Sequence, residues 1–288
     1  MTLNVPKYFC IHDKIDGFLA QVEKVNEDEQ VSLDLGKIEF INPSNLIMLI
    51  TTSRVIFSRT GKKVRWINVS SDISAYLERI NITNVAFIDF KVPSVWERLY
   101  RGSRKSNTLI ELQIIDDWKG CGDAVKRTKE ILLQWFPNQM GRPTNDICSL
   151  LSETAENSID HSSASPGQGY CFYVLQKYHK EGKDQIQIAV GDVGIGIRNS
   201  LKRVAPDFVS NDLLAIKRAL FQGMSGRTDK SGGLGYIRVR EILKQRGGTI
   251  QIRSGYGSIT YSANPEQQQN TEHRCSFPGT QTIFTISS

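Results

Sequence analysis

Residues 146–162 read DICSLLSETAENSIDHS, and the periodicity of this stretch is that of an amphipathic helix. At about 100° per residue, Ile147, Leu151, Ala155 and Ile159 line one side as a core-facing stripe. Glu153, Asn157 and His161 recur at every fourth position and form a second row. An ordinary solvated helix face carries lysine and glutamate in mixture. This row has a carboxylate, an amide and an imidazole, and the window contains no lysine or arginine. An asparagine oxygen ligates Mg²⁺ well, and a carboxylate beside it takes a proton from a nucleophile. The competing reading is a plain polar face, with His161 a helix-end residue satisfied by nearby backbone.

Downstream, two strands expected at 170–178 and 185–190 lead into VGDVGIGIRNSL, where Asp192, Gly194 and Gly196 come directly off a strand end. Glycine lets backbone approach a ligand or take positive φ, and a carboxylate fixed there accepts from an amino group such as adenine N6. Further on, Ser231, Gly232, Gly233, Leu234 and Gly235 open the helix YIRVREILKQ. Glycines at a helix N-terminus leave free N–H groups for an anion. The loop before them, FQGMSGRTDKSGG, offers Arg227 and Lys230 to phosphate oxygens. After Gly247 and Gly248, strands are expected at 249–253, 258–261 and 280–286, with the polar SANPEQQQNTEHRCSFPG a surface loop between the last two.

Upstream, Leu109–Ile115 (LIELQII) reads as a strand and residues 122–136 as a helix. Residues 91–107, KVPSVWERLYRGSRKSN, read as a basic connecting segment, with nucleic-acid contact through Trp96 and Tyr100 the lesser alternative. The first 90 residues alternate helix and strand: a helix within 13–30 on Ile15, Phe18, Leu19 and Val22, a strand at 31–35, a long apolar helix with Ser44 as N-cap, a strand at 62–68 and a helix at 70–79. That order implies a small α/β unit with a largely buried sheet, without any glycine-rich phosphate loop.

The 288 residues are enough for two cores, and 39% hydrophobic with 23% charged is an ordinary globular composition. No apolar run approaches the ~18 residues of a membrane span, and MTLNVPKYFC lacks a signal pattern. The five cysteines form neither CxxC nor Cys/His pairings, so a reducing, cytoplasmic setting is expected and no membrane partner. A net charge of +6 is too mild to mark a nucleic-acid surface.

The three motifs, Glu153-x-x-x-Asn157-x-x-x-His161, Asp192-x-Gly194-x-Gly196 and Gly232/Gly233-Leu234-Gly235, resemble in that order the GHKL ATPase superfamily of gyrase, the heat-shock chaperone, histidine kinases and mismatch-repair ATPases. The closing GTQTIFTIS resembles its last strand. The resemblance spans about residues 108–288 and implies a Bergerat two-layer α/β sandwich. By it, Asn157 ligates Mg²⁺, Asp192 holds adenine, the glycines face the phosphates of ATP, and residues 197–231 form a lid. Nothing in 1–107 reads as the phosphoacceptor helix pair of a histidine kinase, and a glutamate four residues before the asparagine is most like the anti-sigma-factor serine kinases. Glu153 is then the general base on a serine hydroxyl or on water.

The run LDLGKIEFINPSNLIMLI with GKKVRWINVSSDISAYLERINI resembles a STAS domain, the partner of those kinases. The family's Asp-Ser-Ser-Gly-Leu turn is here Asn42, Pro43, Ser44, Asn45, Leu46. Ser44 matches the phosphoacceptor, while the aspartate, first serine and glycine are replaced. The whole is therefore α/β: a STAS-like domain at 1–90, a linker at 91–107 and a GHKL domain at 108–288. The implied function is an Mg-ATP-binding regulator with protein-serine kinase or slow ATPase activity, and an ATP-gated interaction switch is the alternative. A STAS-domain or sigma-factor-like protein is the expected partner, and a homodimer stays open.

Overall fold

The computed structural model describes residues 1–7, 15–91, 108–136, 142–161, 171–180, 182–226 and 234–287. The linker reading at 92–107, with Trp96 and Tyr100, lies outside them, as do Arg227, Lys230, Ser231, Gly232 and Gly233.

The N-terminal half builds a parallel sheet in the order β1 (Thr2–Asn4), β2 (Ser32–Asp34), β3 (Val64–Ile67), β4 (Ile88–Asp89). Between successive strands run α1 (Asp16–Glu23), α2 (Pro43–Thr60) and α3 (Ser71–Arg79). Stepping along the sheet in one direction with right-handed crossovers puts all three helices on the same face. Leu3, Leu33 and Trp66 point to that face and are buried, and the Trp66 indole donates to Ser53 Oγ of α2 at 3.0 Å. Thr2, Asn4 and Arg65 point the other way and are exposed. The sheet expected to be largely buried is thus covered on one side, which is why VSLDL alternates instead of running apolar throughout.

The N-cap of α2 is Asn42, not Ser44. Asn42 Oδ1 accepts from Asn45 N at 2.9 Å, and the Asn45 side chain accepts in return from Asn42 N. Pro43 then begins the helix, where its missing N–H costs nothing. Ser44 is left at the second helical position, buried. Helix α2 is apolar nearly all round, with Leu46, Ile47, Met48, Leu49 and Ile50 all fully buried. Such a helix needs cover on two sides.

The second cover is the sheet of the C-terminal half. Its five strands are antiparallel in the order β5 (Leu109–Ile115), β6 (Cys171–Lys180), β7 (Lys183–Asp192), β9 (Gln269–Ser287), β8 (Thr249–Ser262). Alternation divides each strand between two cores. Phe172, Val174, Ala189 and Ile283 join the core of the N-terminal half. Tyr173, Leu175, Ile188, Val190 and Phe284 face α4 (Trp118–Trp135), α5 (Arg142–His161), α7 (Asp212–Gln222) and α8 (Leu234–Arg246). The layers run parallel sheet, helices, antiparallel sheet, helices.

One expectation is corrected. The polar segment read as a loop between 261 and 280 is mostly strand: β9 begins at Gln269 and pairs Thr271 with Ser258 and Glu272 with Gly257, closed by a turn at Pro265–Gln267. Its outer side chains meet solvent, so composition alone reads as loop, while Phe277 and Cys275 pack inward. The stretch read as a lid contains α6 (Gly196–Lys202) and α7, which anchors on buried Ala215, Ile216, Ala219 and Leu220.

Candidate functional site

Three elements converge at one end of the antiparallel sheet: the C-terminal end of β7, the middle of α5 and the start of α8. With α6, α7 and β9 they line a cavity of about 270 Å³. Helix α5 is tied to α8 by Arg246, whose Nε and Nη2 donate to Asp146 Oδ2 at 3.0 and 2.9 Å.

Asp192 forms the deep wall, 7% exposed. Its Oδ1 accepts from Gly194 N at 2.8 Å and Thr280 N at 3.1 Å, and Ser158 Oγ donates to Oδ2 at 3.2 Å. Burial pushes the carboxyl up to about 6 in spite of these three bonds. The glycines around it have separate reasons. Gly196, at φ +76°, turns the chain into α6, and a Cβ there would meet Ser254 Oγ at 2.9 Å. Gly279, at φ +80°, passes so close that a Cβ would lie 2.1 Å from the Asp192 carbonyl oxygen.

Glu153 and Asn157 both line the cavity, so the row read from the sequence faces it. His161 ends α5, and its side chain lies outside the described residues. Glu153 reaches the first turn of α8: a Cβ at Gly235 would stand 2.4 Å from Glu153 Oε2. Leu234 is the first residue of α8. A helix start favours an anion, so this is where a phosphate chain gains most. Beside Asn157, Glu156 also lines the cavity and accepts from Ser152 Oγ at 2.6 Å. Among the described residues no group of three or more His, Cys, Asp or Glu is placed to hold a metal unaided. The Asn157 amide with the two carboxylates suits an ion that takes most of its oxygens from phosphate and water, as Mg²⁺ does.

Sequence reading missed Ser158, Tyr236, Thr280 and Thr282. The Tyr236 hydroxyl bonds Thr282, and burial raises it to about 12. The alternation in Thr280-Gln281-Thr282 was the available signal: both threonines line the cavity and Gln281 points to the opposite face.

Residues 144–286 match the family model described as histidine kinase-, DNA gyrase B-, and HSP90-like ATPase. This span is a GHKL ATPase domain. The family implies nucleotide binding, and the cavity lies wholly within that span. No curated protein matches the chain. Among solved structures it is similar to the SiaB–SiaC complex from Pseudomonas aeruginosa, at 10% identity over 67% of this chain and 96% of that one, with a TM-score of 0.31. No helix among the described residues is long and apolar enough to cross a membrane.

Proposed function

We propose that the chain is an Mg-ATP-binding regulator of the anti-sigma kinase type, whose STAS-like half is a built-in docking module and not the substrate of its own ATPase half. Asp192 takes the adenine amino group, Asn157 holds Mg²⁺ with the phosphates at the start of α8, and Glu153 is the base. Gly194 and Gly196 shape the adenine turn, and Gly232, Gly233, Leu234, Gly235, Arg227 and Lys230 attend the phosphates. The Mg²⁺ neutralises phosphate charge. Glu153 accepts the proton of a serine hydroxyl on a separate protein, such as a STAS-domain or sigma-factor-like partner, or of water.

One observation carries the docking part of this reading. Ser44 is 6% exposed, and its carbonyl accepts from Gln281 Nε2 at 2.7 Å, on the face of β9 opposite Thr280 and Thr282. The sheet itself stands between Ser44 and the cavity. Incubating the full chain with Mg-ATP and mapping phosphate by mass spectrometry should leave Ser44 unmodified. Stoichiometric phosphate on Ser44, lost in Glu153→Ala, would make the protein a self-modifying kinase instead.

The adenine role of Asp192 has its own test. In Asp192→Asn the amide oxygen still accepts from Gly194 N and Thr280 N, but an NH₂ replaces the acceptor offered to adenine. Losing one charge-assisted hydrogen bond costs roughly 1.5–3 kcal/mol, or about tenfold to hundredfold in ATP affinity by calorimetry. Stability should move the other way. A carboxyl raised on folding from 3.8 to about 6 favours the fold at low pH, and that contribution is lost as pH rises through 6. At pH 8 the asparagine variant should therefore melt no lower than wild type. Wild-type ATP affinity should fall below pH 6 as the carboxylate protonates, and the variant's should not. Equal affinity for ATP and GTP in wild type would remove the role given to Asp192.

A further inference from the structure

The strand pair that holds the adenine wall is seated from behind by α2. On β7, Gly191 precedes Asp192 and points to the opposite face. A Cβ there would lie 2.4 Å from Ile47 Cγ2 and 3.0 Å from Thr51 Cγ2, so the helix rests on bare backbone. The Thr51 hydroxyl turns back to the carbonyls of Ile47 and Met48 at 2.9 and 3.0 Å, which leaves its methyl for the glycine. On β9, Gln281 is fully buried and its amide donates to Ser44 O in the first turn of α2. The front of the same two segments is the cavity: Asp192, Thr280 and Thr282 line it, and Thr280 N bonds Asp192 Oδ1.

A glycine in a strand has no side chain to fix its own position, so the peptide between Gly191 and Asp192 takes its depth from what packs behind it. A shift of α2 by a few tenths of an ångström is transmitted through close-packed backbone and not absorbed. We propose that Ile47 is a positioning residue for Asp192, and that the seat of α2 and the occupancy of the nucleotide cavity are coupled across β7 and β9. This rests on the ATP-binding reading above. Coupling of this kind is reciprocal: whatever α2 does to nucleotide affinity, nucleotide does to the docking of α2. A partner that engages the N-terminal half then changes ATP affinity without touching the cavity.

The test uses the full chain and Mg-ATP calorimetry on wild type, Ile47→Ala and Ile47→Val. Valine keeps the Cγ2 methyl and should bind within about twofold of wild type, whereas alanine removes the contact and should bind about tenfold more weakly. An Ile47→Val variant as weak as Ile47→Ala overturns the assignment to that methyl. Hydrogen exchange of the wild type needs no variant to fold: saturating Mg-ATP should slow residues 43–51 of α2 more than residues 71–79 of α3. Equal affinity in all three proteins, or equal slowing of the two helices, overturns the coupling alone. Failure of the wild type to bind Mg-ATP overturns the ATP-binding reading and the coupling with it.

Discussion

Replacing Glu153 by alanine should lower the rate of ADP release from Mg-ATP by at least about a hundredfold, the lower end of what a positioned general base contributes. The affinity for Mg-ATP should change by less than about threefold, because the proposed adenine contact at Asp192 is untouched and one negative charge near the proposed phosphate position has been removed. This expectation rests on the position of the carboxylate. It projects from α5 into the cavity beside Asn157, four residues on, and lies against the bare Cα of Gly235 at the start of α8. Glu153→Gln separates chemistry from packing, since the amide fills the same space and accepts no proton at neutral pH. A glutamine variant that turns over at the wild-type rate would end the general-base role. If both variants keep the full rate and the affinity, the protein is an ATP-gated switch whose turnover does not pass through this residue.

The candidate site was legible where one helix or one turn carried its lining residues. Glu153 and Asn157 share a face because the helical period says so, and Asp192 was marked by its place between a strand and two glycines. Ser158 and Tyr236 were not legible, since each acts only across a contact distant in sequence: Ser158 on Asp192, Tyr236 on Thr282. The fold divides similarly. Strand β5 and helix α3 match their patterns closely, because local burial on one face imposes a clean period. The second strand of the β8–β9 hairpin did not declare itself, for its pairing partner supplies the order that its polar sequence lacks. Nor did the pattern reveal why α2 is apolar all round. Only the second sheet behind it explains that, and Gly191, an unremarked glycine in a strand, marks the contact.

The junction between the halves also rests on one ion pair, and its removal is expected to cost more stability than any surface change. Asp16 begins α1, and its Oδ1 accepts from Arg253 Nη2 at 2.8 Å while Oδ2 accepts from Arg274 N at 2.8 Å. His273 Nδ1 stands 3.6 Å from Oδ1, with its Nε2 2.7 Å from Ser258 Oγ. Burial pushes the Asp16 carboxyl up, but the bonds from Arg253 and Arg274 and the charges of Arg253 and His273 outweigh it and hold it below the usual range. Arg253 is fully buried, with its guanidinium 6.0 Å from the centre of the Phe277 ring. Asp16→Ala therefore leaves a buried cation without this carboxylate, at a cost of about 3 kcal/mol, the low end for breaking a buried pair because Asp16 itself is partly open to water. Thermal unfolding should drop by about 6 °C. A carboxyl lowered on folding contributes above its unfolded value and loses that contribution as pH falls through the folded one. The gap between wild type and variant should then be present above about pH 5 and narrow below about pH 4. Asp16→Ala combined with Arg253→Met should recover much of the loss, because the orphaned charge goes with it. A double variant no more stable than the single one would mean that the pair acts through the Arg274 and His273 side of the hairpin, and that the guanidinium was never the costly partner.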